Sequence, residues 1–125
     1  MSGAHRWQKK FAVAISGVRW SVRTQSSLWI HLPISLAVVA IAAWLQLETW
    51  RWAAVVLAIT IVLSAELLNT SIEQLVKALH PEHDEQLGRA LDAAAGAVLV
   101  AAVGAVVVGL ITLGLPLWDV VASLI

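Results

Sequence analysis

The chain has 125 residues and a formal net charge of zero at pH 7, with 60% hydrophobic and 13% charged residues. Soluble domains run nearer about 45–50% apolar and about 25% charged, so an ordinary soluble domain is excluded and a single membrane-embedded domain, residues 1–125, is expected. The absence of cysteine rules out a disulfide framework and a thiolate metal site.

The N-terminal segment holds Arg6, Lys9, Lys10, Arg19 and Arg23 and no acid before residue 28. At about 100° per residue, Trp7, Phe11, Ala14, Ile15, Val18 and Val22 fall within an arc of about 100°, and the basic residues occupy the rest of the wheel. This pattern predicts an amphipathic helix over about 6–27 lying in the membrane interface, its cations toward anionic headgroups. A juxtamembrane helix packed on other protein is the alternative. The segment lacks the small-x-small cleavage pattern of a secretory signal.

Three apolar stretches follow, Ile30–Leu47, Trp52–Leu68 and Ala93–Leu117. Crossing a hydrocarbon layer about 30 Å thick takes roughly 20 helical residues, so each is read as a transmembrane helix. Trp29, Trp50, Trp52 and Trp118 fall near the expected edges, the depth that amphipathic rings prefer. Pro33 falls in the first turn of the first span, where a missing N–H costs little. Pro116 falls at the exit of the third. Lys and Arg concentrate in the N-terminal segment and at Lys77 and Arg89, which places the N-terminus and the 77–92 loop in the cytoplasm.

The second span ends in "SAELLNTSIEQLVK". Glu66, Asn69 and Glu73 stand at i, i+3 and i+7, and Lys77 extends the same face. A charge facing lipid at the bilayer centre costs at least about 2.5–3.5 kcal/mol, so this face must look at protein, water or a bound ion. An ionisable residue within a span is a functional candidate by default. A structural carboxylate paired across helices, with Asn69, Glu73 and Lys77 forming a solvated helix end, is the plainer alternative.

After the second span, "HPEHDEQ" carries His80 and His83, readable as a polar turn or as a metal site. Arg89 and Asp92 stand at the mouth of the third span. Asp92 there is either a charge favoured by the helix dipole or a partner of the acids on the second span. Within the third span Ala93, Ala97, Ala101, Ala105 and Gly109 recur every four residues, a small-xxx-small row that lets helices approach closely. The chain has no G-x-x-x-x-G-K-[ST] loop and no protein-kinase loop signature. Phosphoryl transfer here would use carboxylate-held Mg²⁺ and scattered cations.

"AELLNTSIEQLVK", then a short acidic loop, then "GRALDAAAGAVLV", closely resembles the small bacterial integral-membrane lipid kinases, the diacylglycerol kinase and undecaprenol kinase family. "GVRW" and "IHLPISLAVV" extend the similarity over roughly residues 6–113. The resemblance implies an all-α homotrimeric bundle, each subunit with three transmembrane helices and a surface helix, in the cytoplasmic (inner) membrane. It implies transfer of the γ-phosphate of Mg·ATP to a lipid hydroxyl at sites between subunits on the cytoplasmic face, with membrane lipid and ATP as partners and no nucleic acid. By position, Glu66 is the expected general base and Asn69 helps orient the reacting groups. Glu73 and Gln25 are expected at Mg²⁺, and Arg6, Lys77 and Asp92 around nucleotide and lipid.

Three positions depart from the family pattern. Gln25 replaces a glutamate ligand and keeps an oxygen without its charge. Leu91 replaces a phosphate-contacting lysine. Lys77 replaces an aspartate and is expected to supply part of the cation missing at Leu91. Gln25 and Leu91 are the basis for an alternative, a weakened or inactive relative that binds lipid or nucleotide. A proton or ion conductor would need a polar path through the outer half of the second span, and residues 52–63 offer only Thr60.

Overall fold

A computed structural model describes residues 2–125. They form four helices, α1 (Gly3–Thr24), α2 (Ser26–Leu45), α3 (Thr49–Leu79) and α4 (Glu85–Leu124). The last three are long and apolar enough to cross a membrane, in agreement with the three-span expectation. Two tight links make α2–α3 and α3–α4 antiparallel hairpins. In the first, Gln46 adopts a left-handed conformation with φ 53°, and its N–H closes α2 onto Ala42 and Ala43. In the second, His80 ends α3 and Asp84 begins α4.

The helices outrun the apolar stretches. α3 has 31 residues and α4 has 40, or about 46 and 60 Å at 1.5 Å per residue, well beyond a hydrocarbon layer of about 30 Å. α3 continues from Leu68 through the polar face to Leu79, and α4 begins before Ala93 and ends after Leu117. Hydropathy marks where side chains prefer lipid, whereas helix ends are set by the backbone ladder and its caps. Asp84 caps α4, its Oδ1 accepting the N–H of Leu87 at 3.0 Å. That bond holds its carboxyl below the usual range, with weaker help from Gln86, His80 and His83 and against some desolvation.

This start for α4 corrects one expectation. Glu85 occupies its first turn, so Asp92 lies two turns in, beyond the dipole's reach. The prolines shift as well. α2 begins at Ser26, which places Pro33 inside the helix rather than in its first turn. α4 runs through Pro116 rather than ending there. A proline leaves the carbonyl four residues earlier without its N–H, here Thr112. Arg51 of α3 supplies the missing donor, its Nη1 lying 2.9 Å from the Thr112 carbonyl and 3.2 Å from that of Ile111.

The tightest core surrounds the α2–α3 turn, where Ala42, Leu47, Val55 and Leu113 pack together with Trp52 and Leu117. Elsewhere, large apolar side chains such as Leu36, Leu57, Leu99 and Leu110 face outward. In the most apolar stretches of α2 and α4 only 11% of residues are buried. Such a surface belongs in lipid or against other protein. On α1, Trp7, Phe11 and Ile15 are likewise exposed, and Lys10 sits 4.9 Å over the Trp7 ring. Ser21, near the end of α1, is buried; with Gly17 and Trp20 it forms one wall of a groove whose other wall is Leu67, Thr70 and Gln74 of α3.

Candidate functional site

Glu66 and Thr70, one turn apart on α3, are buried, and Glu73 is half-buried. The polar face of α3 thus turns inward at Glu66. Its partner is on α2: Glu66 Oε1 lies 3.0 Å from Nε2 of His31. The acid is accommodated because an imidazole rather than an acyl chain meets it.

Next on the same face, Asn69 Nδ2 donates to Glu73 Oε1 at 3.0 Å. This i, i+4 bond fixes the amide and leaves Asn69 Oδ1 buried without a partner. A buried carbonyl oxygen lacking a donor is costly. Beside a carboxylate, it makes the beginning of an oxygen donor set of the kind Mg²⁺ requires. The residues therefore fit the expected metal. No cluster of three or more His, Asp or Glu side chains suited to a metal occurs among the described residues.

The other expected site residues are not joined to this group. Gln25 lies at the α1–α2 break, its side chain donating to Thr24 Oγ1 at 3.1 Å. Arg6, Lys77 and Asp92 are exposed, and Leu91 is half-buried. Among the described residues no hydrogen bond or ion pair links Arg6, Lys77 or Asp92 to Glu66 or Glu73. His80 and His83 lie in an exposed turn, His80 Nδ1 facing the Glu82 carbonyl at 3.0 Å, which favours the polar-turn reading.

An apolar cleft of about 340 Å³ is lined at one end by His31, the contact partner of Glu66. His31 and Ser35 form its polar end, while Val38 of α2, Ile59 of α3, and Ala105 and Gly109 of α4 line its length. The small-residue row on α4 is therefore divided. Ala105 and Gly109 face the cleft, and Ala93 and Ala97 are exposed. This arrangement can hold an aliphatic chain with a polar end group beside a carboxylate.

Residues 12–113 match the profile of the prokaryotic diacylglycerol kinases. The chain belongs to that family. It is 35% identical over 107 residues to the undecaprenol kinase of Bacillus subtilis strain 168, a match spanning 86% of this chain and 87% of the relative. It is 35% identical over 98 residues to the diacylglycerol kinase of Escherichia coli K12, spanning 72% and 80%, and equally to that of Shigella flexneri. Membership makes the chain a lipid kinase by descent and agrees with the resemblance carried by "AELLNTSIEQLVK". Within this prokaryotic diacylglycerol kinase frame, His31 is the residue that sequence reasoning does not reach. Its signal is an ionisable side chain inside an apolar run, but no spacing rule pairs residues on different helices.

Proposed function

We propose that this protein transfers the γ-phosphate of ATP to the hydroxyl of a membrane lipid of the diacylglycerol or undecaprenol type, at the cytoplasmic face of the membrane. The observation that carries this reading is the buried carboxylate of Glu66, in contact with His31, which lines the polar end of an apolar cleft. A lipid chain in the cleft brings its hydroxyl to Glu66. The carboxylate accepts the hydroxyl proton as the oxygen bonds to the γ-phosphorus and ADP leaves. Asn69 and Glu73 would hold Mg²⁺, with Gln25 as a further oxygen donor; when bound, the metal neutralises charge on the nucleotide phosphates. Arg6, Lys77 and Asp92 contact nucleotide and lipid. Among the described residues no hydrogen bond or ion pair joins these groups to Glu66. The outward apolar surface supports a homotrimer whose sites form between subunits. The basic face of α1 supports an interfacial helix on the cytoplasmic side.

The test is phosphate transfer in mixed micelles, with labelled ATP, Mg²⁺ and either diacylglycerol or undecaprenol. Glu66→Gln keeps the shape and removes the base, so kcat should fall about 10²- to 10⁴-fold, the range general base catalysis supplies. Transfer by this variant at the parent rate would end the reading. The alternative of an inactive binding relative finds no support in the comparisons, because the relatives named above are kinases.

A further inference from the structure

We propose that His31 is a positioning residue for phosphoryl transfer: its Nε2–H holds one carboxylate oxygen of Glu66, so that the other faces the acceptor hydroxyl. The proposal rests on Glu66 being the base. Three observations support it. The Nε2–Oε1 separation is 3.0 Å, a direct ion-pair contact between the imidazole and the carboxylate. His31 also lines the polar end of the apolar cleft, so it touches both the base and the space where an acceptor enters. Its backbone is anchored, because its carbonyl accepts the Ser35 hydroxyl at 2.8 Å and Leu28, one turn earlier, is buried.

A carboxylate turns easily about its terminal torsion, which has broad wells. Pinned by His31, Glu66 presents Oε2 in one direction. During transfer the lipid O–H bond breaks and its proton goes to Oε2. The lipid oxygen bonds to the γ-phosphorus, and the bond from that phosphorus to the ADP oxygen breaks. The Nε2···Oε1 contact persists throughout, so His31 neither gains nor loses a proton. Its contribution is orientation, and misplacing a reacting group by about an ångström costs on the order of 10²-fold in rate.

A purely structural role would also place His31 beside Glu66, so the test must separate the two. The full-length chain is assayed in mixed micelles with Mg·ATP and whichever of diacylglycerol or undecaprenol the parent phosphorylates. His31→Leu removes the donor. His31→Gln keeps an N–H near the Nε2 position, and His31→Asn keeps one that is too short to reach. The expected result is a kcat about 10²-fold lower in His31→Leu, with KM for lipid and ATP little changed. His31→Gln should recover most of that loss and His31→Asn should not, which keeps the test valid if His31→Leu fails to fold. The double variant His31→Leu/Glu66→Gln should be no slower than Glu66→Gln alone.

A parent-like kcat in folded His31→Leu overturns the proposal, as does a His31→Gln variant no faster than His31→Asn. Loss of activity only in proportion to loss of folded protein overturns it too. The two readings fail separately: an active Glu66→Gln removes the base assignment itself, whereas an inactive Glu66→Gln with an unimpaired His31→Leu removes only the role of His31.

Discussion

Arg51 on α3 donates to the carbonyl of Thr112 on α4, the group that Pro116 leaves without a helical N–H. The side chain is further held by Glu48, 3.7 Å from Nε, and lies over the Trp50 ring at 4.7 Å. A cation thus repairs the proline-interrupted ladder and ties the α2–α3 turn to the far part of α4. Arg51→Ala should destabilise the chain by about 1.5–3 kcal/mol, the usual range for a hydrogen bond from a charged donor. Thermal unfolding in detergent measures this. In a Pro116→Ala background the N–H returns, and the same substitution should cost clearly less. Equal costs in both backgrounds would contradict the repair.

The Asn69–Glu73 pair predicts a metal phenotype. Asn69→Leu removes the donor to Glu73 and the orphaned Oδ1 together. The Mg²⁺ concentration giving half-maximal transfer should rise roughly tenfold or more, corresponding to about 1.4 kcal/mol or above. A Mg²⁺ titration at saturating ATP reads this directly. An unchanged midpoint would remove Asn69 from the metal site.

Lys77 is exposed and without an ion pair among the described residues, and Leu91 stands where the sequence resemblance leads one to expect a lysine. If Lys77 meets the nucleotide phosphates, Lys77→Ala should raise KM for ATP up to about fivefold, the scale of an exposed charge pair. Adding Leu91→Lys to that variant should lower KM again. Indifference of KM to both changes would mean that neither position meets ATP.

Asp84 makes the start of α4 sensitive to acid. Its carboxyl is held below its ordinary value of 3.8, chiefly by the Leu87 N–H. A folded-state value below the unfolded one means that the stabilisation is fully present above the unfolded value and is lost as pH falls through the folded value. The protection factors of the Glu85–Gly88 amides, with the intrinsic pH dependence of exchange divided out, should be insensitive to Asp84 titration near neutrality and fall below about pH 4. Asp84→Ala should show low protection factors at every pH. Parent protection persisting under acid would exclude the carboxylate as the cap.

The three spans and the inward acid were legible because lipid enforces simple rules: long apolar runs must be helical, and an acid within one must find a partner. Periodicity placed Glu66, Asn69 and Glu73 on one face, and the Asn69–Glu73 bond is a direct product of that spacing. The helix ends were only partly legible. The polar face carried the second helix as far as Lys77, but Gln86, also a good helix former, fell in the expected loop. Contacts between helices were also hidden. His31 to Glu66 and Arg51 to Thr112 depend on the register of antiparallel hairpins, which one sequence does not display.

α3 runs unbroken from Thr49 to Leu79, so Glu66 and Glu73 are marks on one rigid rule, about 10 Å apart along its axis. Neither loop motion nor subunit rearrangement can alter that gauge, and a residue inserted between them would swing one acid about 100° away from the other. Adaptation to a bulkier or longer acceptor therefore falls to the facing walls on α2 and α4. Variants of altered lipid choice should carry their changes there, leaving the α3 acids in place.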